Sequence, residues 1–451
     1  MSSKFMQTDR NTPYLFPPSI QDWLPEDHLA RFVVEIVSQL NLLPLNNAYV
    51  GRGSKAYHPE ILLALLFYGY ATGVFSSRKL EQATYDSVAF RYIAANTHPD
   101  HDSIATFRKR FLNELTPLFT QILLIAHQMG LLKLGKVSLD GTKIKANASK
   151  HHALSWEHAC KLEEQLKTEV EELFRMAEQA DNTTSQDEMN IPEELARRQD
   201  RLIVIAKAKA EIEKRAAERH AKEKEAYDNK MADRTNKAQE TGRNPRGKGP
   251  KPPEAGPRKQ DQMNLTDSDS RIMPTSADFE QTYNAQAAVD VESMIIVENH
   301  ITQQPNDKQQ VSPTLTELAA LPEKIGKVDS LLADTGYYSE ANVNSCKAQN
   351  IVPYIPGKRE SHNQPLHERF VEPQPVQEDA DAVTKMKHLL KTQEGKKIYA
   401  KRKSTIEPVF GIIKHVLGFR QFLLRGLEAV TGEWNLISIA YNLKRMHVMA
   451  I

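Results

Sequence analysis

Cysteine is almost missing from this chain: 451 residues include two, Cys160 and Cys346. Two thiols build neither a disulfide scaffold nor a four-thiolate zinc site. Net charge is missing as well, with 59 Lys+Arg against 58 Asp+Glu, so no global field selects a partner. Long apolar runs are also lacking. The longest uncharged stretch, Ile61 to Ser77, is interrupted by Tyr68, Gly69, Tyr70 and Gly73. It falls short of the roughly 20 apolar residues a membrane span needs and reads as a buried helix. The first residues, MSSKFMQTDRNTPYLF, contain no apolar signal core. The expectation is a soluble, intracellular chain with no membrane partner.

The residues that are present describe a folded protein. Charged residues at 26% beside 40% hydrophobic ones exclude a fully disordered chain and a multi-span membrane protein. The length suggests two or three domains. A metal site, if there is one, must use carboxylates or some of the 15 His.

Residues 1–133 read as helical. Pro25 and Asp27 open LARFVVEIVSQL, with Leu29, Phe32, Val33, Ile36 and Leu40 at helical spacing. Pro59 opens a second run, Arg78 to Ala94 a third, and Asp102 is a candidate cap for a fourth. That fourth run carries Arg108, Lys109 and Arg110 together, a basic cluster compatible with DNA binding. At Gly135 the pattern changes. KVSLDGTKIKANAS alternates around Asp140-Gly141 and reads as a hairpin.

From His151 to about Tyr227 the chain is helical again and polarised in charge. Residues 151–200 carry 5 Lys/Arg and 13 Asp/Glu, and residues 201–260 carry 17 and 9. Two helical arms that attract each other satisfy that pattern. TGRNPRGKGPKPPEAGPRKQ then reads as a flexible basic linker. Strand patterns return in ADFEQTYNAQAAVD and SMIIVENHIT, then a helix in SPTLTELAALPEKI, then strands in VDSLLADTGYYS and IVPYIPG. Residues 358–395 look polar and irregular, and a basic helix begins near Lys396. This order predicts an α/β core interrupted by an insertion.

Three acids stand at the edges of apolar elements. Asp140 ends KVSL, Asp334 ends SLLA, and Glu407 lies at the start of TIEPVFGIIKHVLGF. Singly, each has a structural explanation. Asp140-Gly141 suits a turn, Asp334 a loop that bonds its own backbone, and Ser404-x-x-Glu407 with Pro408 a helix start. Together, two Asp at the ends of neighbouring strands and one Glu on a following helix can converge on one pocket. Such a cluster calls for cations, and hard oxygen donors without thiols select Mg²⁺ or Mn²⁺. Two such metals can activate a water or 3′-hydroxyl and stabilise the leaving oxygen of a phosphodiester. From Lys396 to Arg425 there are eight Lys/Arg and one acid, Glu407.

The blocks around these residues carry a resemblance. HPEILLALLFYGYATGVFSSRKLEQA, HPDHDSIATFRKRF, VSLDGTKIKANAS, QTYNAQAAVD, LLADTGYYS and YAKRKSTIEPVFGIIKHVLGFRQFLLRG resemble the DDE transposases of bacterial insertion sequences, most closely insertion-sequence family eleven eighty-two. The resemblance implies an α/β, RNase H-like catalytic core with a helical insertion, preceded by an all-α N-terminal domain. Residues 1–133 would be the N-terminal domain, bound to DNA, with 134–150 and 261–451 as the core and 151–260 as the insertion and linker. It implies Asp140, Asp334 and Glu407 as the catalytic triad of a two-metal Mg²⁺ or Mn²⁺ site. The family signature places a Tyr, a basic residue and a Lys around the Glu. Tyr399, Arg402, Lys403 and Lys414 are therefore the DNA-binding candidates, and either Arg402 or Lys403 fills the basic position. Lys414, seven residues after Glu407, is expected on the same helix face. Trp434 reads as core.

The implied activity is metal-dependent cleavage and strand transfer on double-stranded DNA, at element ends and target, by a homo-oligomer. Such a protein would be cytoplasmic and nucleoid-associated. A nuclease of the same fold without strand transfer, and an inactive DNA-binding derivative, are the alternatives.

Overall fold

The structure is a computed structural model, described here for residues 19–49, 56–181, 191–242, 247–275, 278–358, 373–377 and 379–451. In chain order the helices begin with α1 (Ile20–Trp23), α2 (Leu29–Ser38), α3 (Leu43–Asn47), α4 (Pro59–Ala71) and α5 (Ser77–Asp86). They continue with α6 (Val88–Ile93), α7 (His101–Arg110) and α8 (Leu115–Gln128), and β1 (Leu134–Lys145) follows. Next come β2 (Ala153–Ser155), α9 (Trp156–Asp181), α10 (Ile191–Thr241), β3 (Gln262–Asn264) and β4 (Arg271–Pro274). After them lie β5 (Phe279–Asp290), β6 (Ile296–Thr302), α11 (Val311–Ala319), β7 (Gly326–Leu332), α12 (Glu340–Ala348) and β8 (Val352–Tyr354). The chain closes with α13 (Ala382–Leu389), α14 (Gln393–Gly411) and α15 (Leu427–Ala450). Two compact units result: Met1–Lys145 with Tyr283–Ile451, and Ala146–Thr282. The described residues before 134, expected as a domain of their own, fall in the same compact unit as the core. Among the described residues no helix is long and apolar enough to cross a membrane.

In the first unit the organising element is α15. It is buried on nearly every side from Val430 to Leu443, so it needs partners all round. Helices α2, α4 and α8 supply them on one side and β6 on another. Trp434 lies at 0% exposure and donates its indole N–H to the Gln286 carbonyl at 2.9 Å, so it is core as expected. Ile61–Ser77 is mostly the buried helix α4, opened by Pro59 and capped by His58. Other details differ. Arg78–Ala94 breaks into two helices at Ser87. The cap of α7 is Asp100, whose carboxylate accepts from the Ser103 N–H at 2.8 Å, not Asp102. The basic cluster dissolves too. Arg108 is buried and donates to the Tyr70 hydroxyl and the Phe75 carbonyl, and Arg110 stacks over Tyr49. Of the three, Lys109 and Arg110 remain exposed.

The core sheet runs β4-β5-β1-β7-β8, with β6 also paired to β5. Strands β5 and β6 are antiparallel, while β1–β7 and β7–β8 are parallel. A helical region followed by this mixed α/β sheet is consistent with the RNase H-like core that the resemblance implies. The hairpin expected at Asp140-Gly141 is absent: β1 is one strand of 12 residues that passes straight through the pair. A central strand with partners on both edges leaves no room for the turn that the dipeptide favours locally. Asp140 therefore sits inside its strand, not at the end. Residues 358–395 include α13 and the start of α14, and 359–372 and 378 of the expected irregular stretch lie outside the described residues.

The second unit is built on α9 and α10. Leu154, Ala159, Leu166, Ile205 and Ala208 form its buried seam. Glu163–Lys209 at 2.6 Å and Glu169–Arg198 at 2.8 Å tie the arms in antiparallel register. Residues 247–260 of the expected flexible linker are instead held against α10, by Arg258–Glu223 at 3.1 Å and by Arg219 donating to the Gly256 carbonyl at 3.2 Å. The stretch expected to be all helix also contains β2, paired antiparallel with β3.

Candidate active site

Parallel pairing sets the first two acids side by side. The β1–β7 register ends with Ser138 facing Leu332, so Asp140 and Asp334 each follow the last pair by two residues, close enough for the Asp334 charge to act on Asp140. Asp334 lies just past β7 and caps a 3₁₀ turn, Thr335–Tyr337, accepting the Gly336 N–H at 2.7 Å. Asp140 accepts the N–H of Gly141 at 2.8 Å.

Glu407 arrives from the other direction. It lies inside α14, not at a helix start, with Pro408 also internal and Ser404 bonded to the Lys401 carbonyl. The expected capping box is therefore a mid-helix segment. Arg402, five residues earlier on α14, reaches both sides: it donates to Asp140 at 3.0 Å and pairs with Glu407 at 3.5 Å. Arg402 is buried and Lys403 is exposed, so the guanidinium is the cation within the cluster. Asp334 adds to the field that raises the Arg402 pKa against the opposing effect of burial. The Nε of Arg402 is buried without a hydrogen-bond partner.

Burial pushes the Asp140 carboxyl up to about 6, with Asp334 and Asp307 adding to the rise and the Gly141 N–H and Arg402 opposing it. Tyr399 packs beside Val291, Leu332 and Tyr354. Burial raises its phenol above the ordinary value although Arg402 pulls it down. Lys414 does not share a plain α-helical face with Glu407, because α14 gives way to a π turn over Ile412–Val416. From that turn the ammonium donates to the Lys143 carbonyl on β1 at 2.9 Å. Burial, then the neighbouring Lys143, lowers the pKa of Lys414.

The donors suit a hard divalent cation: carboxylate oxygens, no thiol, and a buried Asp whose negative charge is under-compensated. Among the described residues no three His, Cys, Asp or Glu side chains already enclose a metal position. Arg402 occupies the space between Asp140 and Glu407 instead.

Two family models match this chain: Transposase domain (DUF772) over residues 18–110, and Transposase DDE domain over residues 256–443. Together they cover well over half of it, in the arrangement typical of insertion-sequence family eleven eighty-two. The chain belongs to the DDE transposases. No curated protein and no solved structure matches it. In this transposase Asp334, Tyr399, Arg402, Lys403, Glu407 and Lys414 fall inside the DDE match, while Asp140 falls outside both matches and is tied to the others by strand register and Arg402.

The transposase also has polar residues at this site that sequence reasoning passed over. Asp307, between β6 and α11, accepts from Asn284 at 2.7 Å and from Gln286 at 2.8 Å, and lies 3.7 Å from Lys143. Tyr337 donates to Gln286. A signal was available: Asn284 and Gln286 are two amides at strand spacing within an otherwise apolar, fully buried stretch of β5.

Proposed function

We propose that the transposase cuts double-stranded DNA at the ends of its element and joins those ends to target DNA, using a pair of Mg²⁺ or Mn²⁺ ions held by Asp140, Asp334 and Glu407. The observation that carries this reading is that Asp140 and Asp334 each follow the last β1–β7 register pair by two residues while Arg402 links Asp140 to Glu407, with Asp140 raised to about 6. When bound, the two ions supply activation of water or a 3′-hydroxyl and stabilisation of the leaving oxygen. The chain's own residues do the rest. Arg402 keeps the acidic cluster folded before loading and turns its remaining donors toward the phosphodiester. Tyr399 supports Arg402 from the same helix. Lys414, and Lys403 on the exposed side of α14, meet DNA phosphates flanking the cut. Assembly of several copies on DNA is part of this reading, as strand transfer must handle two ends together.

The test is Mg²⁺-dependent cleavage and joining on duplexes carrying the element ends, with Asp140→Asn, Asp334→Asn and Glu407→Gln beside the wild type. Each substitution should slow cleavage by at least about 10³-fold while DNA binding persists. Wild-type rates in all three variants would remove the triad. Cleavage without any joined product would favour a plain nuclease, and binding without cleavage an inactive derivative.

A further inference from the structure

One side chain touches both backbone segments that carry the paired aspartates. Gln286 is fully buried on β5. Its amide nitrogen donates to Asp307 at 2.8 Å and to Asn284 at 3.0 Å, and its amide oxygen accepts from Tyr337. Tyr337 belongs to the 3₁₀ turn that Asp334 caps, so this bond fixes the backbone just after Asp334. On the other side, a Cβ placed on Gly141 would lie 2.1 Å from the Gln286 amide nitrogen. Glycine next to Asp140 is therefore what lets the amide press against that backbone. Lys143 and the two amides meanwhile hold Asp307 beside the site.

We propose that Gln286 is a positioning residue: through Tyr337 and the close approach at Gly141 it holds the Asp140 and Asp334 backbones at the mutual distance that divalent-cation binding requires. The inference rests on the metal reading above. It assigns no contact between Gln286 and metal or DNA. The side chain acts through the carboxylates, as outer-shell partners of metal ligands do. All of its hydrogen-bonding capacity except one acceptor lone pair is spent inside the network, which explains why an amide, with donors and an acceptor on one planar group, stands there.

The test uses the full-length chain with Mn²⁺ alone as probe, reading the free-ion electron paramagnetic resonance signal, and then the Mn²⁺ concentration that gives half-maximal cleavage. Gln286→Glu keeps the shape but cannot donate to Asp307. Tyr337→Phe removes a single hydroxyl. Gln286→Glu should weaken Mn²⁺ binding by roughly 10- to 100-fold and Tyr337→Phe by less. Both should shift the half-maximal Mn²⁺ concentration upward, with cleavage recovering at high Mn²⁺ and metal-free DNA binding unchanged. A merely structural amide would lower the rate without moving that metal dependence. Wild-type or tighter Mn²⁺ affinity in both variants overturns the inference while leaving the metal reading intact. If the wild type itself binds no Mn²⁺, the metal reading fails and this inference with it. Should Gln286→Glu fail to fold, Tyr337→Phe decides alone: weaker Mn²⁺ binding supports the proposal, and unchanged binding overturns it.

Discussion

Acidic side chains in the α9–α10 arm and in the β1–β7 region obey opposite rules. In the arm, acids and bases are matched. Glu163 receives both Lys167 and Lys209, Arg198 spans Glu169 and Glu194, and Arg219 meets Asp261. Around β1 and β7 the acids outnumber the bases. Asp140, Asp334, Asp307 and Glu407 gather about Arg402 and Lys143. The pKa directions follow. Bonds from Lys167 and Lys209 hold Glu163 below the usual carboxylate range, while burial lifts Asp140 to about 6. Matched charge stabilises a fold; an unmatched surplus costs stability and marks a place that waits for positive charge.

The comparison breaks most sharply at Asp140. Its carboxyl holds a proton more tightly in the folded chain than in the unfolded one, where its value is near 3.8. Stability should therefore fall as pH climbs from about 4 through about 6, and stay low above that. A rise of about two units corresponds to at most about 3 kcal/mol at neutral pH. Asp140→Asn, measured by denaturation in chelator, should be more stable than wild type by up to that amount at neutral pH. The gap should close near pH 4, where wild-type Asp140 is protonated too. A variant less stable at neutral pH would mean that the Arg402 bond outweighs burial and that the site is balanced after all.

The N-terminal helices, the interrupted α/β order and the β5–β6 pair were legible because each rests on local pattern. The parallel register of β1 with β7 was not, since it joins segments far apart in the chain; from the residues alone Asp140 and Asp334 could converge, and the resemblance implied that they do. Two local misreadings at the site came from real short-range signals that tertiary structure overrode. Asp140-Gly141 is a turn dipeptide, but here its glycine makes room for Gln286. Ser404-x-x-Glu407-Pro408 is a helix-start pattern, but α14 was already running from Gln393. Between Arg402 and Lys403, sequence spacing left the choice open, and burial separates them.

Lys414 sharpens the comparison from the cationic side. A lysine on an ordinary helix surface would change DNA binding alone when removed. Here its ammonium also carries the Lys143 carbonyl. Lys414→Ala should therefore cost about 1.5 kcal/mol of stability, since a charged donor is lost from a half-buried acceptor. It should also reduce the salt slope of DNA binding by roughly 0.9, the share of one phosphate contact. Lys403→Ala, on the exposed side of α14, should change the slope and leave stability alone. Equal stability effects at the two positions would remove the distinction drawn between them.

The smallest effect belongs to the matched arm. Glu163 and Lys209 are each about four-fifths shielded as side chains, yet they lie on a hairpin between two helices that water reaches along their length. Glu163 also keeps a second partner in Lys167. Screening and the ordering of two long side chains leave little net gain, so Glu163→Gln should cost less than about 1 kcal/mol at neutral pH. Its pH dependence should run opposite to that of Asp140. With its folded pKa depressed, the pair's contribution is present above the unfolded value near 4.5 and is lost as pH falls through the lower folded one. A double-mutant cycle with Lys209→Met measures this in denaturant. A coupling above about 2 kcal/mol would show that the arm, too, stores energy in its charges. A coupling near zero would place the hairpin's stability in the Leu166–Ile205 seam, where apolar burial is cheap and needs no partner of opposite sign.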